Sequence, residues 1–197
     1  VLADNTFLRP GRQYRSRDVQ NTYSALGRLN ILKYSNIRFR EEVREDSAYL
    51  DAFITLSRNK NKSLAFEIEG TNSAGDLGAA ASVAYTHRNL FRGSETFTAK
   101  VRGAYEAITG LEGYANNNYM EYAVETGLSF PEFMFPFLSS DFKRRIRATS
   151  EVTAKFNWQV RPEFERTVAS AGWSYRWTRR QKANHRFDVL DVNYIYM

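Results

Sequence analysis

Two glutamates and two histidines are the residues whose types could support acid–base or metal chemistry. Glu67 and Glu69 lie two positions apart in an alternating stretch, so in a strand their carboxylates would share one face and could act as a paired acid and base. No recognisable nucleophile accompanies them, and solvation on a water-facing surface is the favoured role. His87 and His185 are far apart in sequence, and we expect both to lie at a rim near turns.

The chain contains no cysteine, which removes disulfides, thiolate metal sites and cysteine nucleophiles together. With two distant histidines and no clustered third ligand, a metal site is disfavoured. The stretch Asn89, Leu90, Phe91, Arg92 and Gly93 lacks the glycines and lysine of a phosphate-binding loop and is typical of a tight turn between two strands. We therefore predict no catalytic residues, no metal, no cofactor and no enzyme activity.

Charge and hydropathy narrow the classes of partner. The net charge is +6, but the basic residues are spread along the whole chain, whereas nucleic-acid binding usually requires a clustered basic face, so we predict no nucleic-acid partner. No stretch approaches about 18 uncharged apolar residues, so no membrane-spanning helix is predicted. The first residues lack a signal-peptide pattern, and we expect a mature chain or a piece cut from a longer one.

The first part of the chain has the pattern of a helix followed by a hairpin. Apolar residues recur at helical spacing after Ser16, which predicts an amphipathic helix over Arg17–Leu32. Two alternating segments follow, one around Ile37 and Phe39 and one over 48–58, and they predict a two-strand hairpin. Because one helix and two strands bury little area, we expect a further strand or helix on the N-terminal side of this unit.

From residue 59 onward the pattern consists of long strands only. Six segments of about ten or more residues alternate apolar and polar side chains, and 187–196 is a possible seventh. The polar set includes Glu67, Glu69, Lys100, Arg102, Glu106, Arg145, Arg147, Glu151 and Lys155. A strand of this length can cross a bilayer when tilted, so the pattern favours a transmembrane barrel with a wet interior and a lipid-facing exterior.

The strands of a soluble antiparallel sandwich or of a lipocalin-like barrel also alternate apolar and polar side chains, so these folds remain the alternative. It is disfavoured because the charged positions would have to be buried with complete pairing in a small dry core. The connections alternate between two rims, and the helix and hairpin are expected on the rim that carries Asn89–Gly93. Trp158, Trp173 and Trp177 are expected in aromatic girdles at the lipid interface, or in the core of a soluble protein.

The residues from Phe66 to Ala107 resemble the outer-membrane barrel assembly superfamily of the BamA and TamA type, and most of all its TamL branch in Bacteroidetes. The resemblance is carried by Glu69 to Asn72, by Asn89 to Gly93 and by Glu95. Residues 10–39 resemble the second half of that family's membrane-proximal POTRA domain. The fold class implied is mainly β, with an incomplete C-terminal POTRA domain of α+β type (1–58) before the N-terminal part of an antiparallel transmembrane β-barrel (59–197).

The chain departs from the family in two ways. The opening strand and helix of the POTRA domain are absent, and six to seven strands stand where the family has about 16. The family's inward loop motif belongs to a part of the barrel beyond Met197. We therefore expect an internal fragment.

The resemblance implies a non-enzymatic factor for outer-membrane protein assembly or translocation, in which the first barrel strand is a weak seam. That strand, the lateral-gate strand, comprises Leu64, Ala65, Phe66, Glu67, Ile68, Glu69, Gly70 and Thr71. Asn89 to Gly93 would be the first periplasmic turn. The implied partners are the outer-membrane lipid bilayer, unfolded outer-membrane protein clients and a TamB-like periplasmic protein, with the POTRA portion in the periplasm.

Two other functions stay open. One is a passive outer-membrane channel or ligand-binding barrel whose loops near Asn72 and Asn116 contact ligands. The other is a soluble ligand-binding barrel, which would need no detergent.

Overall fold

The computed structural model describes residues 2–44, 47–73, 76–108, 118–135, 137, 139, 146, 148–179 and 183–197. A short 3-10 turn (Ala3–Asn5) and helix α1 (Ser16–Leu26) precede nine strands. The strands are β1 (Leu32–Arg44), β2 (Ser47–Arg58), β3 (Lys62–Ser73), β4 (Asp76–Arg88), β5 (Thr96–Ala107), β6 (Asn118–Phe130), β7 (Thr149–Val160), β8 (Glu165–Arg179) and β9 (Ala183–Tyr196). Strands β1 and β2 form one sheet, and β3 to β9 form a second.

Helix α1 packs on the β1–β2 hairpin through a few buried groups. The Tyr23 hydroxyl accepts a hydrogen bond from the Ile37 N–H at 2.9 Å, and the Thr22 hydroxyl accepts one from the Phe7 N–H at 3.0 Å. The buried apolar residues of this unit among those described are Ala25, Leu26, Leu29 and Ile37. This small core agrees with the expectation that one helix and two strands bury little area.

The predicted helix over Arg17–Leu32 is too long at its C-terminal end. The helix stops at Leu26, where the Gly27 N–H bonds to the Tyr23 carbonyl and the chain turns. Leu29 is buried although it lies outside the helix. Leu29 keeps the helical spacing of apolar residues because it is buried. The sequence pattern could not distinguish a buried residue just after the helix from one more helical turn.

The second sheet is an antiparallel meander in chain order from β3 to β9. The prediction of a mainly β, antiparallel architecture is confirmed, with seven strands after residue 59. Since seven is odd, the outermost strands β3 and β9 run in the same direction. Within the described residues the sheet is open, with β3 at one edge and β9 at the other, so the closed barrel stays a prediction.

Register places the two side-chain sets on opposite faces. Ile68 pairs with Ala81, Phe66 with Val83 and Val83 with Val101, which continues the apolar row across the sheet. Residues on this face, the apolar face, are largely exposed; they include Leu64, Phe66, Ile68, Leu77, Val83, Val101, Tyr105, Tyr122, Val124, Val152, Phe156, Leu190, Val192 and Tyr194. The opposite, polar face carries Glu67, Lys100, Arg102, Glu121, Glu125, Lys155 and Glu151.

The connections define two rims. The proximal rim carries the connections over 88–96, 130–149 and 179–183, and the distal rim carries those over 73–76, 107–118 and 160–165. The hairpin leads into β3 at the proximal rim, where the Arg88 N–H donates to the Asn61 carbonyl and the Asn30 amide donates to Thr96. The predicted rim for the helix and hairpin is therefore confirmed.

No helix among the described residues is long and apolar enough to cross a membrane.

Candidate functional site

Strand β3 is the edge strand that the sequence singled out. The bond from the Arg88 N–H to the Asn61 carbonyl, at 2.6 Å, sets the phase of the β3–β4 ladder. Because alternate residues of an antiparallel strand bond to the same neighbour, the odd-numbered residues of β3 face β4. The N–H and C=O groups of Leu64, Phe66, Ile68 and Gly70 then point to the free edge, where they could pair with another strand.

The apolar side chains of this edge strand are also exposed. Ile68 is 88% exposed and Phe66 is 70% exposed, both on the apolar face. A Cβ built on Gly70 would meet nothing within 4 Å, so this glycine is not required by crowding. Thr71 lies against Gly78, where an added Cβ would crowd the Thr71 hydroxyl and the Tyr105 carbonyl.

On the polar face, the β3 carboxylates bond to side chains of β4 and of β5, one and two strands away. Glu67 accepts hydrogen bonds from the Ser82 hydroxyl and from the Lys100 ammonium, each at 2.9 Å. Glu69 accepts one from Arg102 at 3.2 Å. Strand β4 permits this reach because its residues on this face, around Ala80 and Ser82, are small. The two glutamates therefore form ion pairs with Lys100 and Arg102.

A polar cluster continues this contact into the sheet. The Glu121 carboxylate accepts hydrogen bonds from Arg102 at 2.9 Å, from the Tyr119 hydroxyl at 2.8 Å and from the Asn157 amide at 2.6 Å. Gln159 donates to the Tyr119 hydroxyl and accepts from Arg166. The sequence placed most of these residues on one face but did not show that they meet, because contacts across strands depend on register.

Three further charge pairs lie on the polar face. Lys155 lies 3.6 Å from Glu125, Arg176 lies 2.8 Å from Glu151, and Arg186 lies 2.6 Å from Asp188. All these side chains are partly exposed, so the polar face is compatible with contact with water.

The turn over 89–95 is held by one carboxylate. Glu95 is buried, and its Oε2 accepts hydrogen bonds from the N–H groups of Phe91 and Gly93 at 3.1 and 3.0 Å. The Asn89 side chain accepts one from the Ser94 N–H at 3.0 Å. Asn89, Arg92 and Ser94 all have positive φ, a conformation that costs non-glycine residues energy and needs such support. The turn is thus held by specific hydrogen bonds, and Phe91 is exposed at its tip.

The histidines are not brought together. His87 lies in β4 and His185 in β9, near the proximal rim as expected but five strands apart. Among the residues that the structure describes, no group of three or more histidine or acidic side chains could hold a metal ion. Asn72 lies at the end of β3, and Asn116 lies outside the described residues.

Aromatic residues mark both ends of the apolar face. Near the distal rim Trp158 stacks on Tyr122 with ring centroids 5.6 Å apart and donates to Glu165. Near the proximal rim Trp173 and Tyr175 are 5.7 Å apart, and Trp177 stacks on His185 at 5.3 Å. The role of the tryptophans in lipid-interface girdles stays a prediction.

Comparison with known proteins gives similarity to solved structures but no family match. No protein-family model matches the sequence, and no curated protein matches it. Among solved structures, the chain is similar to the crystal structure of BamA from Haemophilus ducreyi lacking POTRA domains 1–3. That match has a TM-score of 0.40 and 8% identity, and it covers 95% of this chain and 45% of the other. The chain therefore spans less than half the length of that structure.

Proposed function

We propose that residues 59–197 form the first part of an outer-membrane β-barrel and that the protein helps to insert or translocate other outer-membrane proteins. The observation that carries the proposal is the division of the seven-stranded sheet into an exposed apolar face and an ion-paired polar face. In a soluble sandwich a second layer would bury the apolar face. In the described residues, extensive strand contacts join only neighbours within each sheet.

Contact with lipid explains both faces. The apolar side chains would meet hydrocarbon, while Glu67, Lys100, Arg102 and Glu121 would line a wet interior and bond to each other there. The strands have 12 to 15 residues, which exceeds the about 9 to 11 needed to cross a bilayer when tilted. The aromatic residues at both rims are typical of membrane interfaces.

The assembly role rests on the free edge of β3. Its outward backbone groups at Leu64, Phe66, Ile68 and Gly70 could template a client strand by β-augmentation. The partners would be the bilayer and unfolded outer-membrane protein clients. The same proposal includes four points that rest on the sequence resemblance. They are membership of the TamL branch, the assignment of residues 1–58 to a POTRA domain, the periplasmic location of that domain and a TamB-like partner.

Proline at Ile68 tests the edge directly. The Ile68→Pro variant removes an outward N–H and leaves the β3–β4 bonds in place, so it should fold but insert clients more slowly. Ile68→Ala is the matched control because it removes the same side chain and keeps the N–H. The measurement is the rate at which an unfolded barrel client becomes protease-protected in reconstituted vesicles. Wild-type rates for the proline variant would refute the gate assignment.

A passive channel is the second candidate, and the charged polar face favours it. Deleting residues 1–58 separates the two functions. If the full chain inserts clients and the deletion variant does not, the assembly role is supported. If neither the full chain nor the deletion variant inserts clients and both conduct equally, the channel is supported.

A further inference from the structure

The segment formed by residues 131–135 and 137 lies on the apolar face at the proximal rim and is a candidate membrane contact. It leaves β6 after Phe130 and passes over Ser150 of β7 to Tyr175 of β8. Ser150 and Tyr175 pair with each other, and each lies two positions from a member of the pair Val152 and Trp173. Residues two apart in a strand share a face, so both belong to the apolar face. Tyr175 is only 2% exposed, so the segment covers this end of the face.

Three backbone groups of the segment are bonded to strand side chains. The Ser150 hydroxyl donates to the Glu132 carbonyl at 2.7 Å and accepts from the Met134 N–H at 2.8 Å. The Tyr175 hydroxyl donates to the Met134 carbonyl at 3.2 Å. A backbone group without a partner costs several kcal/mol in lipid, roughly, so irregular chain next to a bilayer needs such bonds. The middle of the segment meets this requirement.

The rings of the segment continue the aromatic set of β8. Phe133 packs edge-on against Tyr175 at 4.5 Å, Phe135 lies 6.1 Å from Phe133, and Phe137 lies 5.8 Å from Phe135. Phe137 at the end of this row is 87% exposed, and Met134 is 47% exposed. The half-buried rings of Phe133 and Phe135 pack toward the buried Tyr175, and Phe137 remains exposed among the described residues.

We propose that the segment formed by residues 131–135 and 137 inserts at the lipid interface of the membrane and anchors the proximal rim there, with Phe137 and Met134 as the inserted side chains. The inference rests on the proposed function, since it takes the apolar face as the lipid-facing one. Continuity with that face, the bonded backbone groups of Glu132 and Met134 and the row of rings ending in exposed Phe137 all fit the amphipathic boundary between headgroups and acyl chains.

Site-directed spin labelling tests the proposal, and the absence of cysteine makes every introduced cysteine unique. Nitroxide labels are placed at Phe137→Cys, Ile68→Cys, Arg92→Cys and Lys155→Cys in the full chain, in phosphatidylcholine vesicles. Power saturation then compares collisions with oxygen, which concentrates in lipid, and with a water-soluble nickel complex. We expect position 68 deep in hydrocarbon, 92 and 155 in water, and 137 at an intermediate depth.

The outcomes separate the two proposals. If the label at 137 is as accessible to nickel as that at 92 while position 68 remains in lipid, the anchor is refuted and the proposed function stands. If position 68 is also aqueous, the proposed function fails. A Ser150→Ala variant should raise nickel access at 137 without changing it at 68, whereas Ser170→Ala on the polar face should change neither.

Discussion

At the scale of single residues, the polar face depends on a few carboxylates that several donors share. Glu121 accepts from Arg102, Tyr119 and Asn157, which come from three different strands. Glu95 plays the same part for the backbone of the turn over 89–95. In both places one acidic side chain satisfies several donors, so its loss leaves more than one group without a partner.

Replacing Glu121 with alanine should destabilise the sheet by about 1 to 3 kcal/mol, because its partly buried donors lose their acceptor. The measurement is the thermal midpoint in detergent. Glu106→Ala serves as a control, as this glutamate lies on the same face of β5 near the distal rim. Equal midpoints for the Glu121 variant and the wild type would contradict the role of the cluster.

Replacing Glu95 with alanine should loosen the turn over 89–95 and expose Arg92 to trypsin, since Asn89, Arg92 and Ser94 would keep positive φ with less support. The expected cost is also about 1 to 3 kcal/mol. Cleavage after Arg92, followed by mass spectrometry, reports the change. Glu163→Ala in the connection between β7 and β8 should leave that cleavage rate as it is.

At the scale of elements, β3 is held to the rest of the sheet by its ladder with β4 and by charge contacts across it. Glu67 and Glu69 reach Lys100 and Arg102 on β5 because the β4 residues between them are small. This arrangement ties an edge strand to the sheet without large side chains on its neighbour. Partly exposed ion pairs of this kind can break and form again, as an edge strand that opens and closes would require.

A charge swap tests that hold. Glu67→Lys places like charges opposite each other and should speed amide exchange along β3, and adding Lys100→Glu should restore the wild-type rate. The pair Glu125 and Lys155 lies between β6 and β7 and is the matched control, for which the same swap should leave β3 unchanged. Exchange is followed by mass spectrometry in lipid. If the double variant exchanges as fast as the single one, the contact does not hold β3.

At the scale of the whole molecule, the seven-stranded sheet has two edges and one uncovered apolar face. Strands β3 and β9 are parallel to each other, so direct pairing between them would not continue the antiparallel pattern. An all-antiparallel closed barrel requires an odd number of further strands between these two edges. The exposed face and the free edges together are what a bilayer and a partner strand would cover.

Amide exchange resolved by residue should show this arrangement. In vesicles containing the chain, the N–H groups of Leu64, Phe66 and Ile68 should exchange fast, and those of Ala65 and Glu67 slowly, because only the latter bond to β4. Amides of β5 and β6 in the sheet interior provide the protected reference. Uniformly slow exchange along β3 would mean that its edge is already paired.

Sequence patterns predicted much of the fold and less of the site. The alternation over 64–71 and 97–105 predicted which side chains share a face, because strand geometry has a fixed period of two. The end of α1 was missed, since Leu29 keeps helical spacing after the helix has stopped. The Glu121 cluster was missed because it depends on register. The turn at Asn89 to Gly93 was predicted, but its support by Glu95 and its left-handed backbone were not, because no residue type predicts them.

By itself the sequence determined the antiparallel β character after residue 59, the two faces of each strand and the rim that holds the helix and hairpin, since all three follow from local periodicity and chain order. Only the tertiary structure decided which charges meet, which backbone groups of β3 remain free and where residues 131–135 lie. Those features depend on pairing between residues far apart in the chain, and periodicity along one strand carries no information about its register against the next.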